Sequence, residues 1–539
     1  MKLNLLQKLS RRERRVMNRI DKANWSGQSP MIAPPAIQYV LADRMQAVCA
    51  GGLGVIQQMV KQLGLAEDIN RICPIFKMHL PYSEADHVLN IAFNLLAGGT
   101  CLEHLELRRK DEAYLNPLGA ERIPDPTTAG DFCRRFSNWD VFALMESFHE
   151  ARLKVWMQQP DSFFDMAIIE ADGTQVETYG EHKEGMSMNY KCQWGYHPLV
   201  VTLANTREVL YLFNRPGNRP SHERAFVYFD RSIDLCRRAG FRAIRMRGDT
   251  DFSQTRHLDR WHDDGVQFVF GFDAIPKLEE MAENLPQTAW KQLHRKQRTT
   301  DNPRARRPNF KEQVVVEKEY KNKRLEKEFV AEFDYSPGKC GHTYRMVVLR
   351  KQVAVMKGEQ KLIDDSPYFF YITNISSSEM TVEEIVGESN KRCDQENIIS
   401  QGKQMGALAA PLHTTTSNWA YMAMATLAWN LKAWLALSLK ETGPPKAKSK
   451  RRAEKHRLLR MDFSTFRQTI IMIPTQIIRS ARRLIYRLLA WSPNLEVLLR
   501  LHDCVSQPLR TWSTRTTKPK SGCFGTAIHR HAPKTSNNE

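Results

Sequence analysis

Apolar positions recur at helical spacing through the first part of the chain. Leu53, Val55, Ile56, Met59, Val60, Leu63 and Leu65 form one such set, and Ile91, Phe93, Leu95 and Leu96 another. Residues 36–158 therefore read as helices. Pro124, Pro126 and the Thr127-Thr128 pair predict a break and a helix start before Gly130-Asp131-Phe132. The pattern implies a helical N-terminal domain over residues 1–158.

From about residue 160 the period shortens to that of strands. FFDMAIIEA is followed by YHPLVVTLA and EVLYLFNRP, then a helix over Ser221–Ala239 that stops at Gly240. FRAIRMRGD is the next strand, Gln254–Asp264 the next helix, and VQFVFGF a further strand. Three strands followed by strands alternating with helices predict an α/β fold, a mixed sheet covered by helices, over 159–275. Near Ile275 a basic stretch, KQLHRKQRTTDNPRARRP, precedes the alternating segments EQVVVEKEY, RLEKEFVAEFDY and YRMVVLRKQVAV. These predict antiparallel strands with one wet face, a β-rich insertion over 276–365. YFFYITNI restores a buried strand, Thr381 starts a long helix, and Trp419–Leu439 lies in a second core helix, so the core resumes over 366–443. Pro444-Pro445 reads as a linker into a C-terminal region, 444–539.

Charge changes this picture. The 539-residue chain carries a formal net charge of +19, and residues 446–539 alone hold 20 Lys and Arg against 5 Asp and Glu. A basic tail that also contains Trp, Tyr and Leu points to a polyanionic partner, and to nucleic acid in particular. In that light the N-terminal helices are either a DNA-binding module of helix-turn-helix type or a packing domain. The ten cysteines are scattered singly, with no zinc spacing, as in a cytoplasmic protein with reduced thiols. No apolar core of signal-peptide length stands at the N-terminus. Asn430 and Lys432 interrupt the apolar run 419–439, which favours a core helix over a membrane span.

Three acids stand where a carboxylate is structurally inconvenient and chemically useful. Asp172 and Asp249 each end an apolar strand, and Glu396 lies in the predicted helix. Carboxylates so placed can hold hard divalent cations through oxygen, and a metal pair about 3.5–4 Å apart clamps both oxygens of a phosphodiester displacement. Asp251 rivals Asp249 for the second position. Arg392, four residues before Glu396, and Lys403, seven after, share its face on a continuous helix, so both are candidates to grip DNA phosphates. An ordinary i,i+4 salt bridge is the structural alternative. Trp290 beside the basic stretch, Arg295 included, is a candidate platform for an unpaired base, the alternative being a packed Trp beside a basic loop.

Together these segments resemble bacterial insertion-sequence transposases of the DDE type, which have an RNase H-like core with a β-rich insertion between the second Asp and the Glu. That group carries a Tyr, two residues, Arg, three residues, Glu, six residues, Lys signature. Arg392, Glu396 and Lys403 match it, while Ser389 stands at the Tyr position. Asp172 with Tyr190-Lys191 and Gly195-Tyr196-His197-Pro198-Leu199 is similar to the first-Asp region, and Arg247-Gly248-Asp249 with Phe252 to the second. The resemblance implies Mg²⁺, or Mn²⁺ in its place, on Asp172, Asp249 and Glu396. It also implies DNA contacts that include Lys191, cleavage at terminal inverted repeats, transfer of the 3′-hydroxyl ends to target DNA, a homodimer in the synaptic complex, and a nucleoid location. A nuclease or resolvase without strand transfer, and a non-catalytic DNA-binding derivative, remain as alternatives. His197 is expected to be structural or to contact DNA.

Overall fold

The computed structural model describes residues 3–21, 46–77, 81–295, 321–357, 360–365, 367–480 and 483–510. The predicted strand at 312–320 and the basic stretch beyond Arg295 lie outside them.

The N-terminal region is helical, and its helices begin and end on recognisable local chemistry. Helix α1 spans Leu3–Asp21, strand β1 Gln46–Val48 and α2 Leu53–Leu63. Gly64 ends α2 in the left-handed region at φ 65°, which lets α3 (Leu65–Ile72) start at once in a new direction. A capping box between Ser83 and Asp86 starts α4 (Glu84–Leu96). Helix α5 (Pro126–Arg134) is capped by Asp125, which accepts from Thr128 N at 2.9 Å, with Pro126 at the first position. The start therefore comes earlier than the Thr127-Thr128 pair suggests, because a carboxylate caps better from Asp125. Helix α6 (Asn138–Trp156) closes the series.

The central sheet is laid down next. Strands β2 (Met166–Gly173), β3 (Leu199–Leu203) and β4 (Glu208–Phe213) form an antiparallel meander. Helix α7 (Ala225–Ala239) then crosses back, so that β5 (Ala243–Gly248) pairs with β2 in parallel. After α8 (Thr255–Asp263), β6 (Gln267–Phe272) adds parallel to β5. The order β4-β3-β2-β5-β6 is the mixed sheet expected of an RNase H-like core.

The segment read as an insertion continues this sheet. Strands β7 (Lys321–Tyr335) and β8 (Tyr344–Lys357) form a long antiparallel hairpin. Strand β9 (Tyr368–Thr373) pairs antiparallel with β8 on one side and β6 on the other, joining hairpin to core. Hairpin and core meet edge to edge through main-chain ladders, a coupling that alternation alone does not announce.

The opposite edge, β4, is sealed from within. After α9 (Pro276–Glu283), α10 (Val382–Asn390) and α11 (Cys393–Gln404) comes α12 (Thr415–Ser438), buried from Ser417 to Leu437. The Asn430 amide accepts from Val209 N and donates to Val209 O, both at 2.9 Å. Trp419 and Trp429 donate to Leu212 O and Arg207 O, each at 2.5 Å. These side chains occupy main-chain groups that an open edge would offer to another strand. Among the described residues no helix is long and apolar enough to cross a membrane. Lys432, one of the two interrupting residues, is buried against Leu459 O at 3.1 Å, and burial pulls its pKa down to about 7.

The basic C-terminal region is folded through Arg510. Helix α13 (Pro445–Arg460) presents Lys446, Lys448 and Lys450 to solvent. Strands β10 (Thr475–Ser480) and β11 (Arg483–Leu488) then form a sheet with β1, in the register Gln46↔Ile477. A Cβ on Gly52 would lie 1.8 Å from Ile470 O, so this glycine permits the close approach. Helix α14 (Leu495–Val505) buries Leu498 and Leu501. Charge counting read the surface of this region correctly and missed its apolar interior.

Deleting residues 445–510 should therefore abolish cooperative unfolding, and Leu501→Ala alone should cost about 2–5 kcal/mol in chemical denaturation. Neutralising Lys446, Lys448 and Lys450 with Gln should leave the midpoint within roughly 0.5 kcal/mol of wild type.

Candidate active site

Strands β2 and β5 are neighbours in parallel, with Glu170 opposite Arg247. Two residues further along each strand stand Asp172 and Asp249, so the period of two turns both toward the same side. They lie at the carboxyl ends of parallel strands, where open α/β sheets place their ligands. Asp249 also opens a short 3-10 turn, Thr250–Phe252, and accepts from Asp251 N at 3.1 Å.

The third acid arrives on a helix different from the one expected. Thr381 does start a helix, through a capping box with Glu384. That helix, α10, ends at Asn390, and Lys391 and Arg392 form a turn before α11 begins at Cys393. Arg392 caps α11 with helical backbone angles, φ −57° and ψ −22°, so it and Glu396 remain an i,i+4 pair as the spacing predicts. Helix α11 is pinned by its own side chains: Gln395 donates to Val200 O at 2.9 Å and receives the Thr202 hydroxyl, while Asp394 pairs with Arg207 at 2.8 Å and Arg460 at 2.6 Å. Val200 is the partner of Asp172 across the β2–β3 ladder. The anchor of Glu396 thus ends beside the strand that carries Asp172.

The turn delivers Arg392 between the acids. Its Nη1 is 3.8 Å from Asp172 Oδ2 and 3.7 Å from Asp249 Oδ2, and its Nη2 is 3.6 Å from Glu396 Oε1. One guanidinium stands within ion-pair range of three carboxylates, each longer than a direct hydrogen bond. It is Asp249, and not Asp251, whose carboxylate reaches it. Asp172 is 15% exposed and Glu396 57%, so the cluster opens on the helix side. Burial, reinforced by the Asp249 charge, pushes the Asp172 pKa up to about 7 against the opposing pull of Arg392. Asp249 is also raised, by burial first, with Arg392 working the other way. The site holds more negative charge than its one arginine balances.

A hard divalent cation suits that imbalance and an all-oxygen donor set. Among the described residues no three His, Cys, Asp or Glu side chains already stand close enough to share one ion. Asp172, Asp249 and Glu396 would hold it only as Arg392 gives way.

Behind the acids lies a network that sequence reasoning missed. Arg247 Nη1 is 3.0 Å from Glu388 Oε1, and its Nη2 is 2.5 Å from Glu170 Oε1, the latter without hydrogen-bond alignment. Lys391 Nζ meets Glu388 Oε2 at 2.8 Å. All but Lys391 are buried. Burial pushes Glu170 up to about 7 despite Arg247. For Glu388, burial raises the pKa but Lys391 and Arg247 outweigh it, so the carboxyl stays below its usual range. The available signal was the strand period, since Glu170 and Arg247 each precede a candidate acid by two residues.

The remaining candidates have contacts of their own. Lys403 is exposed at the end of α11. Lys191 is exposed, its Nζ 5.3 Å from the Tyr190 ring centroid. Trp290 is 9% exposed, with the Arg350 guanidinium 4.3 Å from its ring centroid, so a base finds no free face there. Arg295 is committed to Glu328, with Nη2 at 2.8 Å. Burial pulls the His197 pKa down to about 4, and its Nδ1–H donates to Arg219 O at 2.8 Å.

A family model described as transposase DDE domain group 1 matches residues 41–508. The chain belongs to that family. Among curated proteins none matches it in sequence. A solved piggyBac transposase synaptic complex with hairpin DNA aligns over 88% of this chain and 90% of its own, at 9% identity and a TM-score of 0.30.

Two measurements probe this transposase-domain site without an activity assay. Arg247→Met should cost about 3–5 kcal/mol, because it strands buried Glu170 and weakens the pairing of Glu388, and the double variant with Glu170→Leu should recover part of that loss. Without divalent cation, ionised Asp172 opposes folding, since its folded pKa of about 7 lies above an unfolded value near ~3.9. That cost is absent below about pH 4, grows with pH and is complete above about pH 7, at roughly 1.4 kcal/mol per unit. Asp172→Asn should accordingly raise Tm at pH 8, by an amount that shrinks toward zero near pH 4. An equal gain at both pH values would remove the electrostatic explanation.

Proposed function

We propose that this chain is a DNA transposase that cleaves at terminal inverted repeats and transfers the 3′-hydroxyl ends to target DNA. The observation that carries the reading is the convergence of Asp172, Asp249 and Glu396 on one cation, Arg392, at the open end of the sheet. In this reading the three carboxylates hold Mg²⁺, or Mn²⁺ in its place. When bound, the ions lower the pKa of the attacking oxygen and stabilise the leaving one. Asp172 and Asp249, fixed on adjacent strands, supply the rigid side of the site. Glu396, more exposed and on a helix, supplies the adjustable side.

Arg392 has two roles in sequence. Before ions and DNA arrive its guanidinium holds the acids together, and afterwards it turns to a phosphate oxygen beside the cut, for which its planar fork is suited. His197, neutral at pH 7, is not required as a base. The Arg247 network keeps β2, β5 and α10 in register so that the acids need little rearrangement. Two copies acting on paired element ends make a homodimer the expected working form.

Asp172→Asn, Asp249→Asn and Glu396→Gln should each abolish Mg²⁺-dependent cleavage of DNA carrying the element ends while leaving binding largely intact. Their effects should be non-additive, since one lost ligand already disables the site. Cleavage followed by joining supports transposition. Cleavage alone reassigns the chain as a nuclease or resolvase, and binding alone as a DNA-binding protein.

A further inference from the structure

Beside the acids lies a cavity of about 550 Å³ that the reaction described above does not use. Arg219, Arg224, Arg256 and Lys339 line it, with Glu223 the one acid on its wall. Glu223 is already engaged, 3.8 Å from Arg219. Among the described residues no carboxylate pairs with Arg224, Arg256 or Lys339, and all three are exposed. Three cations around one cleft, without counter-charges, repel each other unless an anion enters.

The backbone supports the same reading. Arg224 sits at φ 57°, in the left-handed region that a non-glycine residue adopts only at some conformational expense. Its guanidinium lies 5.9 Å from the Phe213 ring centroid, and that of Arg256 lies 5.7 Å from Phe226, whose ring stacks on His257. Both arginines are thus oriented by aromatic faces, which leaves their donors unused by acids. Lys339 comes from the tip of the β7–β8 hairpin, held down by Gly341 N to Asp259 Oδ2 at 2.6 Å and Cys340 Sγ to Thr255 O at 3.2 Å.

Position relates the cavity to the candidate active site. A Cβ on Gly173, the residue after Asp172, would lie 2.7 Å from His197 Cε1 and 2.8 Å from Ser221 Oγ. The segment that carries Arg219 and Arg224 therefore packs directly on the end of β2. The opposite wall, Gln254 to Arg256, follows Asp249 through a single turn. Both catalytic-candidate strands thus lead into the rim of this cleft.

We propose that the cleft grips backbone phosphates of the DNA strand next to the scissile one, with Arg224, Arg256 and Lys339 as the contacts. The assignment rests on the transposase reading and adds a strand path to it. Phosphate contacts position a strand without reading its sequence, so the effect should appear on DNA of any sequence.

The test uses the full chain carrying Arg224→Asn, Arg256→Gln and Lys339→Gln together; Asn tolerates the left-handed backbone. Binding of a random-sequence duplex is measured across a salt series, alongside Tm. Each lost contact should lower the slope of log K against log salt by roughly 0.9, so the triple variant should lose about 2–3 units at unchanged Tm. If the triple variant unfolds, Lys339→Glu alone, on an exposed loop, should still reduce the slope. A slope unchanged in every folded variant, while wild type still cuts DNA, overturns the cleft assignment and leaves the transposase reading standing. Wild type that neither binds nor cuts DNA overturns both. In a parallel arm, inorganic phosphate is titrated by calorimetry. Binding lost in the triple variant while the DNA slope is unchanged would make this a small-anion site and also overturn the assignment.

Discussion

Asp172 and Asp249 end two hydrogen-bonded parallel strands, so the ladder that builds the sheet also forces two carboxylates together in a partly buried place. Their repulsion is the constraint to which the surroundings respond. Burial and the neighbouring charge raise Asp172, and Arg392 offsets only part of that. The Arg392 guanidinium reaches all three acids from the N-cap of α11, one turn before Glu396.

Holding such a site requires the strands not to slip. A shift of one residue would turn Asp172 and Asp249 to the other face of the sheet. The buried Glu170–Arg247–Glu388 network ties β2, β5 and α10 together directly behind the acids. On the far side, α12 closes the β4 edge with the Asn430 amide and two indole N–H groups, and buried Glu208 receives Arg152 at 2.9 Å and the Trp156 and Trp434 indoles. A buried carboxylate is tolerated there because several donors share its charge. These contacts make β4 and α12 one block.

The long β7–β8 hairpin serves the same sheet from its other end. It enters the ladder through β9 and returns its tip to α8, near the cleft beside the acids. Its strands extend the sheet, and its loop places Lys339. The C-terminal region closes the molecule differently, by adding β10 and β11 to a strand, β1, that precedes the first core helices. Chain ends far apart in sequence thus share one small sheet.

Much of this was legible in residue order alone. Strand alternation and the stops at Gly240 and Pro124 marked the elements, and acids ending apolar runs marked Asp172 and Asp249, because an ionised group at a strand end is unfavourable without a purpose. Spacing brought Arg392 and Glu396 into one signature. Tertiary structure alone decided three further matters. It set Asp249 rather than Asp251 against Arg392, since a 3-10 turn directs side chains two residues apart to different sides. Trp290 went under Arg350 instead of toward solvent, since an aromatic beside cations packs wherever a partner strand offers a guanidinium. The basic C-terminal region folded onto the N-terminal region, because Ile470 meets Gly52 and Ile477 pairs with Gln46, partners more than 400 residues away in the chain. Local pattern records which face of an element is apolar, and only the assembled chain supplies what that face meets.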